Sequence, residues 1–332
     1  MQITANALRT TWAVERMKLR PNSVAYLPLE VVVFEKRLCA LVASESCSIL
    51  IPVSDADVFS ETRESTLEFV RTRVDCGEGL HDYLQLSCFE DSLEQVFSNL
   101  CSDLIEEVFE KSNPGIASRI YFDKWRVLFA KSRNTALSKN ALVGLFGELA
   151  VLKKLVSQDE MRSINSWVGP NGAPQDFTST CSRIEVKSTT SLNELVVSVS
   201  GVHQLESHEA EALHLVVNRV TLEGSGVTLP ELVKEIIELG VDRISLYEKL
   251  GNIGYDWSDP GLYHNDRFAL LDSFWFCVDE AFPKIVSQSF VDGVIPAGVE
   301  NVKYSINLGS GYGALNDAEV ENVIEVFLKG EA

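Results

Sequence analysis

The segment from Pro174 to Lys187, PQDFTSTCSRIEVK, decides the fold of this chain. In its second half Glu185 and Lys187 stand two residues apart, with β-branched residues between and before them. A strand points alternate residues to opposite faces, so these two side chains share one face and their apolar neighbours enter the core. Asp176 lies a hairpin's length upstream, and antiparallel pairing of two short strands would bring it next to Glu185.

The residue types of this segment suit the chemistry of phosphodiester hydrolysis, which must stabilise negative charge that grows on a phosphoryl group. A hard cation held by Asp176 and Glu185 would do so and would lower the pKa of a bound water. Mg²⁺ accepts one or two carboxylates and keeps several waters, so we expect Mg²⁺, with Mn²⁺ as an alternative. Lys187 could position or deprotonate the attacking water, or stabilise the charge of the phosphorane.

A third acid is expected from a helix that precedes this segment. Ser138 is a plausible N-cap, and the apolar spacing predicts a helix over residues 139–156. Glu148 lies in an apolar run, where a carboxylate is costly unless it is paired or metal-bound. Gly144 and Gly147 each disfavour a helix by about 1 kcal/mol relative to alanine, so close packing is expected to explain them. A helix laid over a sheet, with its acid aimed at Asp176, accounts for both features.

These patterns together, from Gly144 to Glu148, from Pro174 to Phe177 and from Glu185 to Lys187, resemble the PD-(D/E)XK nuclease superfamily. The chain is most similar to a bacterial family encoded near phage-defence and restriction genes. The resemblance implies a restriction-endonuclease-like α/β core with a mixed sheet. It also implies a Mg²⁺-dependent DNA endonuclease that acts in restriction or phage defence.

By the same resemblance, the site consists of Glu148, Asp176, Glu185, Lys187 and Gln204. The three acids would hold or support the metal, and the lysine would be the catalytic lysine. The glutamine matches one that follows the lysine in several branches of the superfamily, where it orients the site or contacts the DNA backbone.

One departure from the motif is Gln175, which separates Pro174 from Asp176. The proline varies within the superfamily, so this departure weighs little. Taken alone, a Glu-Val-Lys tripeptide carries almost no information, because it occurs by chance on exposed strands. The bland alternative is a surface Glu–Lys pair with a capping aspartate and a half-exposed Glu148.

The chain is expected to form three lobes, with α+β flanks around the α/β core. Asn113-Pro114-Gly115 is a strong break in secondary structure and predicts the first boundary. The lobes are residues 1–114 (N-terminal α+β lobe), 115–220 (nuclease core) and 221–332 (C-terminal α/β extension packed on the core). Within the core, we expect a strand near 163–168 and a helix near 202–211, which would begin just before Gln204.

The formal net charge of −19 argues against a protein that holds nucleic acid with its whole surface. Residues 116–140, however, contain six basic residues and one acid, interleaved with aromatic residues. This basic segment could form a DNA-facing wall. The alternative is an amphipathic helix that buries its aromatic residues and solvates its charges. The candidate DNA-binding residues are Arg119, Lys124, Arg126, Lys131 and Arg133.

Location and partners follow mainly by exclusion. The apolar runs are far shorter than the roughly 20 residues of a membrane span, and the N-terminus does not resemble a secretory signal. We therefore expect a cytoplasmic protein with no membrane partner and with seven reduced cysteines. DNA is the expected substrate, and further defence-system subunits or a homodimer are the expected protein partners.

Two rival interpretations remain. The chain could be a catalytically inactive nuclease-fold subunit that binds DNA or a protein of a defence complex. Against this, a degenerate copy usually loses one residue of the aspartate, glutamate and lysine set. The chain could also be an interaction protein whose acidic surface binds a basic partner. The glycine-rich stretch 309–314 resembles a dinucleotide-binding loop, but no strand or ribose-binding acid follows it.

Overall fold

The computed structural model describes residues 3–54, 56–108, 114–131, 137–207, 211–257, 260–309 and 312–330. For residues 107–108 and 127–131 it describes the backbone alone. The chain divides into two compact units, residues 1–132 and residues 133–332.

The first unit is an antiparallel sheet with three helices. In chain order its elements are α1 (Ala5–Arg16), β1 (Ala25–Val33), β2 (Lys36–Val42), β3 (Cys47–Pro52), β4 (Thr62–Arg63), β5 (Leu67–Asp75), β6 (Leu80–Cys88), α2 (Glu94–Val108) and α3 (Pro114–Lys131). The sheet order is β1-β2-β3-β6-β5-β4, with every neighbouring pair antiparallel. Strands β5 and β6 form a hairpin. Sequence reasoning missed helix α1.

The second unit contains the motif segment. Its elements are α4 (Lys139–Val156), α5 (Glu160–Ser166), β7 (Phe177–Thr178), β8 (Ser182–Thr189), β9 (Val196–Ser200), β10 (Ala212–Thr228), α6 (Leu229–Glu238), α7 (Arg243–Ile253), β11 (Arg267–Cys277), β12 (Lys303–Asn307) and α8 (Asp317–Lys329). This arrangement confirms the expected mixed α/β core with flanking helices, a fold consistent with restriction endonucleases.

A mixed four-stranded sheet in the order β11-β10-β8-β7 is the centre of this unit. Strand β8 pairs antiparallel with β7 and parallel with β10, and β10 pairs antiparallel with β11. Strands β9 and β12 form a separate two-stranded antiparallel sheet. Apolar residues of β9 and β12 pack with apolar residues of β10, and this cluster covers one face of the central sheet. The unit therefore has a second layer over the face that carries Glu185.

Helix α4 begins where the sequence predicts, because Ser138 accepts a hydrogen bond from the Ala141 backbone at 3.3 Å. The helix contacts β8 closely at Gly147, where an added Cβ would lie 2.0 Å from the Ser188 Oγ. The expectation that close packing explains the glycines is thus confirmed for Gly147. It is wrong for Gly144, since an added Cβ there would meet nothing within 4 Å.

Two predicted elements are wrong. The expected strand at 163–168 is largely occupied by helix α5, because Asp159 caps its N-terminus by accepting from the Arg162 backbone at 2.8 Å. The expected helix at 202–211 is a turn in its described part, residues 202–207. Gly201 precedes this turn with φ of +105°, a left-handed backbone that leads the chain away from a helix.

The two compact units differ from the three predicted lobes. Helix α3 contacts α2 and β3, so residues 115–131, which the prediction placed in the nuclease core, belong to the first unit. Strand β11, from the predicted C-terminal extension, pairs with β10 within the central sheet. Sheet pairing between segments distant in sequence leaves no break near residue 220. Among the described residues, no helix combines the length and apolar character that crossing a membrane requires.

Gly147→Ala is expected to destabilise the chain by about 1–3 kcal/mol, because the new methyl group overlaps Ser188 across the α4–β8 contact. Gly144→Ala is the matched control in the same helix, and it is expected to stabilise by up to about 1 kcal/mol. Urea denaturation of the full chain measures both changes. Equal destabilisation by the two variants would contradict the packing argument.

Candidate active site

Asp176 is placed beside Glu185 by the register of two paired strands. Phe177 pairs with Ile184 across β7 and β8, and continuing this register places Asp176, which directly precedes β7, next to Glu185 of β8. The Val186 backbone N–H donates to the Asp176 Oδ2 at 2.8 Å, which fixes the carboxylate against β8. The hairpin pairing expected from the sequence is therefore present.

The backbone of Asp176 is held from the other side. The Val168 and Gly169 backbone N–H groups both donate to its carbonyl oxygen, at 2.8 and 2.9 Å. A Cβ at Gly169 would lie 2.7 Å from the Asp176 Oδ1, so only glycine fits this position without displacing the carboxylate.

Glu185 is the most deeply buried acid of the site, with 1% of its surface exposed. The β9–β12 layer covers its face of the sheet, as the apolar cluster on that face shows. Lys187, on the same face, donates from Nζ to the Glu185 Oε1 at 2.6 Å. The Glu185 Oε2 is buried and has no hydrogen-bond partner among the described residues. Such an oxygen is costly to bury and is suited to a cationic ligand.

Lys187 has a second partner on the turn that follows β9. The Gln204 Oε1 accepts from the Lys187 Nζ at 3.1 Å and from the Ser200 backbone N–H at 2.9 Å. The predicted glutamine is therefore in contact with the predicted lysine, although it lies on a turn and not on a helix. Its contact with the lysine arises because Leu205 and Val202 anchor the turn in the core.

Glu148 extends toward the site from helix α4 and is hydrogen-bonded by an aromatic residue that sequence reasoning did not identify. The Trp167 Nε1 donates to the Glu148 Oε2 at 2.9 Å. Trp167 is fully buried and stacks on Phe177, with ring centroids 6.4 Å apart. Its backbone carbonyl accepts from the Lys249 Nζ of α7 at 2.5 Å. The indole and the ammonium thus orient the helix acid toward the strands.

The three carboxyl groups influence one another. Burial and then the nearby Asp176 raise the pKa of Glu148 to about 8, against the opposing effects of the Trp167 indole and Lys187. Burial and then Asp176 hold the pKa of Glu185 well above its usual range, against the effect of Lys187. Burial also raises the pKa of Asp176. Asp176 is therefore within electrostatic reach of both glutamates, and Lys187 offsets only part of the repulsion.

With this geometry established, comparison with known proteins identifies the family. Residues 34–309 match the family model described as "Putative PD-(D/E)XK family member, (DUF4420)". The chain belongs to this family. The match covers both the motif segment and most of the flanking sequence. Neither a search of curated proteins nor a search of solved structures returns a match.

The donor set fits a divalent cation in part. Among the residues that the structure describes, no group of three or more His, Cys, Asp and Glu side chains is arranged to surround a metal ion. Asp176 and Glu185 are a smaller set, adjacent on paired strands, and the unpartnered Glu185 Oε2 is a free acceptor. Mg²⁺ needs no more than one or two carboxylates, so these two residues match the PD-(D/E)XK expectation. Glu148 already accepts from Trp167 through one oxygen.

Four of the predicted DNA-binding residues, Arg119, Lys124, Arg126 and Lys131, belong to helix α3 of the first unit, and two of them already pair with acids. Arg119 contacts Asp123 at 2.8 Å, and Arg126 contacts Glu64 at 3.0 Å. Lys124 is exposed. The side chain of Lys131 and the whole of Arg133 lie outside the described residues.

Arg119, Lys124 and Arg126 lie on α3, and the motif acids lie in the second unit. Phe122 and Trp125 of the same helix are buried, which is what the amphipathic-helix alternative expects. A DNA-binding role for the basic segment therefore stays a prediction.

Four residues of the site escaped sequence reasoning: Gly169, Trp167, Lys249 and Gln175. No motif spacing relative to the acids marks these residues in the sequence. Only Gln175 gave a signal, since it interrupts the proline–aspartate pair of the motif.

Trp167→Phe is expected to raise the pKa of Glu148 above about 8, because the indole hydrogen bond stabilises the charged carboxylate. Carbon-detected NMR titration of the glutamate side chains measures this shift. Trp275→Phe, at an equally buried tryptophan of the same unit, is the control. A Glu148 pKa that is unchanged or lowered in Trp167→Phe would contradict the assigned role of the indole.

The metal-free chain is expected to lose stability as pH rises from about 4.5 to about 8. In this window folded Glu148 binds a proton that the unfolded chain has released, because its folded pKa is the higher one. Glu148→Gln should flatten this pH dependence, since the amide does not titrate. Urea denaturation in the presence of a chelator, at several pH values, measures both slopes. An unchanged slope in the variant would sink the prediction.

Proposed function

We propose that this PD-(D/E)XK family member is a metal-dependent endonuclease that hydrolyses DNA phosphodiester bonds. The observation that carries the proposal is that Lys187 donates to Glu185, an acid of the motif, and is held in place by Gln204. Asp176 and Glu185 lie on paired strands, and Lys187 contacts Glu185 and Gln204. The alternative, a surface Glu–Lys pair, does not fit this site, because only 1% of the surface of Glu185 is exposed.

Asp176 and Glu185 would hold the cation. A divalent ion such as Mg²⁺ or Mn²⁺, when bound there, supplies positive charge against the phosphoryl group and lowers the pKa of a bound water. Burial and then repulsion from Asp176 raise the pKa of Glu185, so a bound cation would relieve a repulsion already built into the fold.

Lys187 is placed to act on the reacting groups. A lysine ammonium has three N–H donors, and Lys187 uses one on Glu185 and one on Gln204. The third has no partner among the described residues, and it could donate to the attacking water or to a non-bridging phosphate oxygen. Fixing two donors limits the rotation of the ammonium, which aims the third.

Glu148 would support the site from the opposite side. Its pKa of about 8 keeps it able to accept or release a proton near neutral pH. Trp167 holds one of its oxygens, and the other remains for a water molecule. A role in restriction or phage defence, with other subunits or as a homodimer, remains a prediction from the sequence, as does a cytoplasmic location.

Purified protein with Mg²⁺ or Mn²⁺ is expected to cleave plasmid DNA, whereas Asp176→Asn and Lys187→Ala should reduce the rate by at least about 100-fold. Glu185→Gln should do the same. The matched control is Lys234→Ala, which removes an exposed lysine of α6 and should cleave at the wild-type rate. Gel electrophoresis over a range of sequences and methylation states follows the reaction.

Each outcome separates the proposal from its rivals. Loss of cleavage in the three site variants but not in the control supports the endonuclease. Intact DNA with all proteins, together with a metal-independent gel shift by the wild type, would favour an inactive nuclease-fold subunit. Cleavage that survives Lys187→Ala would show a contaminating activity and would remove the support for the proposal.

A further inference from the structure

Gln175 is a buried polar residue whose amide nitrogen and amide oxygen both make hydrogen bonds. Only 2% of its surface is exposed. Its Nε2 donates to the His203 carbonyl at 2.6 Å and, more weakly, to the Gln204 carbonyl at 3.4 Å. Its Oε1 accepts from the Arg183 guanidinium at 3.1 Å. The side chain therefore ties the motif segment to the turn that carries Gln204.

The orientation of this amide is chemically forced. An arginine only donates, so the oxygen of Gln175 must face Arg183. A backbone carbonyl only accepts, so the amide nitrogen must face the turn. Arg183 is itself fixed, because its guanidinium pairs with Glu211 at 2.7 Å. Glutamate at position 175 would set a carboxylate against the His203 carbonyl, and leucine would leave both partners unpaired.

The turn held by Gln175 fixes one of the two partners of Lys187. The backbone of residues 203 and 204 receives the Gln175 amide, and the side chain of Gln204 then accepts from Lys187 and from the Ser200 backbone. Within the turn, the Glu206 backbone N–H donates to the His203 carbonyl at a long 3.4 Å, so side-chain contacts such as that of Gln175 contribute to its position. Displacing the turn would release one N–H of the lysine.

We propose that Gln175 is a positioning residue that acts on Lys187 through the 203–204 turn and Gln204. This inference rests on the proposed nuclease function, and it explains why a glutamine separates Pro174 from Asp176. Gln175 does not touch the reacting groups; it sets the direction in which the lysine donates. The contacts of Arg183 and Glu211 hold the amide in the orientation that this role requires.

Gln175→Glu tests the proposal in the full chain, because it keeps the acceptor for Arg183 and removes the donor to the turn. It should lower kcat by about 10-fold or more, with KM and the Kd for Mn²⁺ within about two-fold of wild type. In a Gln204→Ala background the same substitution should have less than about a two-fold further effect, because the relay is already broken. The control, Gln288→Glu, changes an exposed glutamine in the same way and should leave kcat unchanged.

A second readout does not depend on activity. The Ser200 amide donates to the Gln204 side chain, so Gln175→Glu should speed its hydrogen exchange by about 10-fold or more, with no change in Gln288→Glu. An unchanged Ser200 exchange rate, or effects of Gln175→Glu and Gln204→Ala on kcat that simply multiply, would overturn the proposal. If the wild type cleaves nothing, the proposed function falls, and Ser200 exchange alone then decides whether Gln175 positions the turn.

Discussion

The constraint on which the second unit depends is the placement of two acids side by side in a largely buried site, where Lys187 pairs with Glu185. Asp176 and Glu185 are adjacent on paired strands, and burial raises the pKa of both. Taking a charge out of water is costly unless a counter-charge compensates, and Lys187 compensates only in part. The repulsion between these carboxylates is therefore only partly compensated, and such perturbed groups are typical of functional sites.

The surrounding elements keep these acids buried. The β9–β12 layer closes the face of the sheet over Glu185, and α4 brings Glu148 from another direction. The helix can approach because Gly147 leaves room for Ser188. A wider gap between helix and sheet would let water reach the acids and would weaken their interaction, since effective dielectric falls with burial. The close packing at Gly147 therefore also affects how strongly the acids interact.

Two separate groups of polar residues hold side chains of the site in place. Trp167 and Lys249 orient the helix acid, and Gln175 and Arg183 hold the turn beside the lysine. Each support joins segments far apart in the sequence. Supports of this kind fix the rotamers of reacting groups and so reduce the reorganisation that a reaction requires. The family match covers the whole of this arrangement.

Several local elements, and the residues that the structure brings together around Glu185, follow from the sequence alone. Ser138 marked the start of α4, and the alternation of residues 183–187 placed Glu185 and Lys187 on one face. These predictions succeeded because capping and strand periodicity depend on neighbours in the chain. Three features become visible only in the folded chain: β11 joins the central sheet, residues 115–131 belong to the first unit, and Trp167 and Gln175 contact Glu148 and the 203–204 turn. Those contacts join residues separated by long stretches of chain, and no local pattern records which distant partners will meet.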